Sequence, residues 1–141
     1  LAARTGQYNE GWSIGAIRWM KISNNGGINM GVRTIAEDAR PIASKAVAGV
    51  GTGGEYFRAL LAPDLDPEQY PPTLIAPAAV YDIGSVIMLN FDDRILYAKL
   101  TRQLESTSAY SQYQFELVER PETLKTTNDN QEQRKSSRLF K

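Results

Sequence analysis

From Trp12 to Ile22 the chain alternates with period two. Trp12, Ile14, Ala16, Arg18, Met20 and Ile22 share one parity, and Ser13, Gly15, Ile17, Trp19 and Lys21 hold the other. After a polar stretch, Ser23-Asn24-Asn25-Gly26-Gly27, the residues Ile28, Met30, Val32 and Thr34 resume the alternation against Asn29, Gly31 and Arg33. Successive side chains of a strand point to opposite faces, so the pattern predicts a hairpin over 12–35 with one apolar face. The Asn/Gly cluster supplies the positive φ that a tight reversal needs.

Ala36 to Pro41 reads as a break, because a proline restricts the residue before it. Residues 41–48 are expected to form a short strand or turn, and Gly49 to Gly54 a loop. Glu55 to Ala62 is ambiguous between a strand and two turns of helix. Residues 63–72 carry four prolines and read as an irregular connection. Strand signals return at Thr73–Pro77, Gly84–Phe91, Arg94–Arg102 and Tyr110–Glu119, with Asp92-Asp93 as a turn. In the last of these Tyr113, Phe115 and Leu117 share a face. From residue 120 polar and charged residues dominate, which predicts a disordered, mildly basic tail. The expected class is all-β and mainly antiparallel. Residues 1–62 form part of a small barrel, 63–72 a connection, 73–119 a second antiparallel meander, and 120–141 the tail. One barrel, two barrels or an extended sandwich all fit this pattern.

Composition then removes whole classes of chemistry. The 141 residues include neither Cys nor His. Disulfides, thiolate catalysis, Ser-His-Asp triads and histidine-ligated metals are therefore excluded within the chain. Lys plus Arg and Asp plus Glu both number 16, so no net charge calls for nucleic acid or an anionic membrane. No apolar run approaches the roughly 18 residues of a spanning helix. The absence of Cys fits a reducing cytoplasm. A start on Leu1-Ala2-Ala3-Arg4 suggests a piece of a longer protein.

Gly49, Gly51 and Gly54 satisfy GxGxxG, but Pro63 stops any following helix, and the flanks are strand-rich rather than βαβ. The acidic pairs Glu37/Asp38, Asp64/Asp66 and Asp92/Asp93 sit at expected turns and read as backbone caps rather than acid–base dyads. No catalytic set and no metal site is expected. Arg18 stands where an apolar residue belongs. It either buries its stem with a wetted head or contacts an anion or a guanine base. Arg134 and Arg138 give RxxxR in the tail.

The residues Ile14-Gly15-Ala16-Ile17-Arg18-Trp19, a turn, and Met30-Gly31-Val32 resemble the later strands of the PilZ domain, a small bacterial barrel known for binding cyclic di-GMP. The downstream segments YFRALLAP, TLIAP, DIGSVIML and YSQYQFELVE are similar to C-terminal extensions of some multidomain members. The family's ligand site uses an early RxxxR and a later Asp/Asn-x-Ser-x-x-Gly. Neither stands in its usual place here: the elements lie upstream, or the ligand is lost, or the tail motif serves a neighbouring barrel or a partner.

The resemblance implies a non-enzymatic regulatory module that responds to cyclic di-GMP or mediates protein–protein contact. Arg134, Arg138 and Arg18 are its ligand-binding residues, cyclic di-GMP its possible ligand, and no other cofactor is expected. A protein partner or a homo-oligomer is expected, without membrane insertion. The alternative is a small barrel for single-stranded nucleic acid, stacking bases on Trp12, Trp19, Tyr110 and Tyr113. The balanced charge argues against it.

Overall fold

One strand decides the architecture. In the computed structural model, which describes residues 2–4, 12–49, 54–64, 66 and 70–122, strand β3 runs Ile28–Ala48 for 21 residues and changes partners along its length. The other strands are β1 (Ala2–Arg4), β2 (Trp12–Ile22), β4 (Phe57–Ala62), β5 (Thr73–Pro77), β6 (Val86–Phe91), β7 (Arg94–Ser106) and β8 (Tyr110–Val118). As far as Ala39, β3 pairs with β2. From Arg40 it pairs with β4, and from Ala43 its other edge takes β6. The order β3-β4-β5-β8-β7-β6, closed by β3–β6, is a six-stranded antiparallel barrel. The first half of β3 leaves the barrel as a two-stranded ribbon with β2, and β1 pairs with the start of β2. Closure removes the open edges that a six-stranded sheet would otherwise expose.

The all-β, antiparallel expectation holds, and the open question of one barrel or two is answered. A single barrel takes β3 and β4 from before the proline-rich connection and β5 to β8 from after it. Glu55 to Ala62 is strand from Phe57, because Phe57, Ala59 and Leu61 alternate toward the interior while Arg58 and Leu60 face outward. The expected break at Ala36–Pro41 is instead continuous strand. Between the pairs Ile14↔Ala36 and Trp12↔Ala39, β3 has one extra residue, and Asp38 takes a φ of 58°. That bulge bends β3 from ribbon to barrel. Pro41 is tolerated because pairing with β6 begins only at Ala43, leaving one edge of β3 uncovered there. The turns behave as read. Gly26 has φ 80°, Ser23 N donates to Gly27 O at 2.7 Å, and Asp92 and Asp93 both have positive φ.

The barrel interior holds Ile42, Leu74, Ile87, Leu89, Leu100 and Tyr113 around small Ala46, Ala59, Ala76 and Ala98. Each large aliphatic contributes about 1.5–3 kcal/mol by burial. Small residues opposite large ones let so narrow a barrel fill without voids. Two buried tyrosines and Ser44 pair with one another or with backbone, whereas the buried Ser85 Oγ has no partner among the described residues. Tyr113 Oη donates to Tyr81 O at 2.7 Å, and Tyr81 Oη and Ser44 Oγ lie 2.9 Å apart. Burial pushes the Tyr81 phenol up, against the opposing hydrogen bond from Ser44. A smaller cluster sits outside the wall, where Ile14, Ala36 and Ile35 of the ribbon base pack on Leu60, Ile75 and Tyr110.

The ribbon corrects the simple parity of its sequence. Ile17 pairs with Val32, and Trp19 with Gly31, so Arg18 is an extra residue on β2. Past this bulge the faces exchange parity. Ile17, Met20, Ile22, Ile28, Met30 and Val32 therefore line one face, while Trp19, Lys21, Asn29, Gly31 and Arg33 share the other with the bulged Arg18 alongside. Two close approaches agree: a Cβ on Gly31 would strike the Trp19 indole, and one on Gly15 would strike Val32. The apolar face was expected, but with Trp12, Ile14, Ala16 and Arg18 on it; the bulge replaces them with Ile17.

Candidate functional site

The ribbon crosses the outside of the barrel, and a cleft forms where the two meet. The β7–β8 turn is fixed first. Thr107 Oγ1 accepts from Ala109 N at 3.2 Å and Tyr110 N at 3.0 Å, and donates to Tyr110 O at 3.1 Å. This holds Glu105, at the end of β7, beside Tyr110, at the start of β8. The ribbon brings two guanidinium groups to the same carboxylate. Arg33 Nη2 lies 2.6 Å from Glu105 Oε2, Arg18 Nη2 lies 3.0 Å from Oε1, and Tyr110 Oη donates to Oε2 at 2.9 Å. Partial burial works to raise the Glu105 carboxyl, but the Tyr110 and Arg18 hydrogen bonds and the two arginine charges outweigh it and hold it low. Tyr110 is pushed up, by burial first and then by its hydrogen bond to the carboxylate and that group's charge.

Under this cluster lies a cleft of about 530 Å3 lined by Ile14, Ala16, Arg18, Ile35, Leu60 and Tyr110 among others. It runs into a groove of about 640 Å3 on the outer barrel wall, where Ala43, Arg58, Asn90 and Pro77 join. The two share Leu60, Ile75, Ala109 and Tyr110. Both volumes fall in the range of small-molecule sites. The floor is apolar and the rim carries cations. Arg58 is exposed on β4, opposite Ala43, and makes no ion pair among the described residues. Arg18 and Arg58 are the charged residues that line the two cavities, so the rim is positive, and behind it Arg18 and Arg33 share the Glu105 carboxylate. Apolar floor plus guanidinium rim suits an anionic, partly aromatic ligand, since guanidinium pairs with phosphate and stacks on planar rings.

Of the residues expected at a ligand site, Arg18 stands at this cleft, its side chain 42% exposed. Arg134 and Arg138 lie outside the described residues, as does the tail beyond residue 122. Sequence reasoning missed Arg33, Arg58 and Glu105, and named Tyr110 only for base stacking in the nucleic-acid alternative. The signal for Arg58 was available once 57–62 is taken as strand, since its neighbours point inward. Among the described residues no three acidic side chains gather as a metal would require. Asp64 Oδ1 accepts from Asp66 N at 3.0 Å, the capping role expected of it. Gly51 of the GxGxxG run is outside the described residues. One part of the nucleic-acid alternative fails: Tyr113 is only 1% exposed and its hydroxyl is spent on Tyr81 O, so it cannot stack on a base. No helix among the described residues is long and apolar enough to cross a membrane.

Residues 42–118 match the FimW C-terminal beta-barrel domain, a span that starts within β3 as it enters the barrel and ends with β8. The chain belongs to that family. It is also 32% identical over 110 residues to the cyclic-di-GMP receptor FimW of Pseudomonas aeruginosa, an alignment that covers 78% of this chain and 18% of the relative. The chain thus spans about a fifth of the length of the curated relative it matches. No solved structure gives a significant match. The resemblance to cyclic di-GMP receptors drawn from the hairpin agrees with this relationship. The FimW C-terminal barrel match, however, lies on the downstream segments and begins seven residues after Ile35.

Proposed function

We propose that this barrel is a non-enzymatic regulatory module of a cyclic di-GMP receptor, and that the ribbon–barrel cleft is the part that meets the dinucleotide. The observation that carries the reading is the juxtaposition of an apolar trough with Arg18 and Arg58, in a chain whose relative is named for that ligand. Guanine faces would lie on Leu60, Ile75 and Pro77, and the phosphates would take Arg58 and compete with Glu105 for Arg18. Arg134 and Arg138, which lie outside the described residues, are proposed for the same ligand on their RxxxR spacing alone. The lack of Cys and His removes thiolate and imidazole chemistry from the chain, which favours binding over turnover.

Titration calorimetry of the chain with cyclic di-GMP tests this. Binding heat is expected for the parent protein. Arg18→Ala, Arg58→Ala and Arg134→Ala/Arg138→Ala should each weaken affinity about tenfold or more, as the loss of a charge-assisted contact requires. Absence of heat removes the ligand role. Binding untouched by Arg18→Ala and Arg58→Ala but lost in the tail variant moves the site away from the cleft.

A further inference from the structure

The ribbon presents an uncovered apolar face. Ile17, Met20, Ile22, Ile28, Met30 and Val32 are between 42% and 72% exposed, and they are contiguous through the pairs Ile17↔Val32, Met20↔Met30 and Ile22↔Ile28. Local propensity does not account for this. A two-stranded ribbon is marginal by itself, and the barrel stabilises this one only through its base and its reverse face. Ile14 and Ile35 bury the base, while Arg18 and Arg33 tie the reverse face to Glu105. That tether orients the ribbon and leaves the apolar face outward.

We propose that this face is a homodimer interface, closed by the same face of a second copy of the chain. Area and charge both point there. Six large side chains exposed to this degree leave on the order of 500 Å2 of apolar surface, at the upper end of what a monomer shows. Two such faces together bury about 1,000 Å2, the size at which specific interfaces begin. The face carries no charge, since Arg18, Lys21 and Arg33 all belong to the other side. Two copies related by a two-fold axis therefore meet without repulsion, apolar row against apolar row. An anionic lipid surface would find no cation on this face, and a charged partner no counter-ion. Met20 and Met30, paired at its centre, can adapt their unbranched side chains to an identical partner. This inference is independent of ligand binding.

Sedimentation velocity of the 141-residue chain, from low micromolar to several hundred micromolar, provides the test. A concentration-dependent dimer is expected. Met20→Lys and Met30→Lys should each weaken it more than about tenfold, because an unpaired charge would enter the contact, while far-UV circular dichroism stays unchanged. Lys21→Glu, on the reverse face, should leave it intact. Since the chain has no cysteine, Met30→Cys and Lys21→Cys supply a second readout. A short bismaleimide should link the first into dimers and not the second. A parent chain that stays monomeric throughout overturns the proposal. So does a dimer indifferent to both lysine variants, which would indicate strand-edge pairing, or a monomer that pellets with anionic vesicles through this face.

Discussion

Replacing Glu105 with Gln should loosen the ribbon before it loosens the barrel. The carboxylate is the shared acceptor of Arg33 at 2.6 Å, Arg18 at 3.0 Å and Tyr110 Oη at 2.9 Å. Removing its charge leaves two guanidinium groups facing one another with no anion between them. The guanidinium side chains are 42% and 53% exposed, so screening keeps each ion pair near the lower figure for surface contacts, about 0.5 kcal/mol. The Tyr110 hydrogen bond survives in part, because Gln keeps an acceptor. The expected cost is therefore about 1–2 kcal/mol, with part of it from arginine–arginine repulsion. Both tryptophans of the chain, Trp12 and Trp19, lie in β2. Tryptophan fluorescence thus reports the ribbon alone, whereas far-UV circular dichroism is dominated by the barrel. In urea titrations the fluorescence midpoint of Glu105→Gln should fall further than the dichroism midpoint. The pH dependence has a fixed sign. The folded Glu105 is held below its ordinary value of about 4.5, so its contribution is complete above that pH and fades as pH falls through the lower folded value. The difference between parent and variant should shrink on acidification. Unchanged fluorescence midpoints, or a difference that grows as pH falls, would refute the tether.

Two further substitutions probe the ribbon packing and the barrel interior. Gly31→Ala places a methyl group where the Trp19 indole lies, so the ring must swing off the ribbon. A red-shifted emission maximum and a loss of about 1 kcal/mol or more at the fluorescence transition are expected; an unshifted spectrum contradicts the packing. Tyr113→Phe removes the buried hydroxyl that donates to Tyr81 O. It should cost about 1–2 kcal/mol, because a buried carbonyl loses its partner, and both probes should report the loss together.

The ribbon turn, the strand segments and the antiparallel class were legible because they rest on local chemistry. Asn24-Asn25-Gly26-Gly27 permits the positive φ found at Gly26, and alternation marks each strand. What was not legible depends on pairing between distant residues. A period-two reading assumes that no residue is skipped, yet whether Arg18 bulges depends on its partner strand. Closure of β3 on β6 joins Ser44 to Leu89, a contact with no local signature. The same holds for Glu105, which is 72 residues from Arg33. Arg18 was singled out because it broke the apolar row, and it does stand at the cleft. Arg33 and Arg58 broke no pattern: each sits where a polar outward residue is expected.

Hydrogen–deuterium exchange of the chain with and without cyclic di-GMP reports where the dinucleotide acts as well as whether it binds. Slower exchange is expected at the ribbon base and the cleft walls, over 14–18, 33–36, 58–62 and 107–110, with the barrel interior unchanged. Identical uptake at saturating dinucleotide, or protection confined to segments away from the cleft, would contradict it.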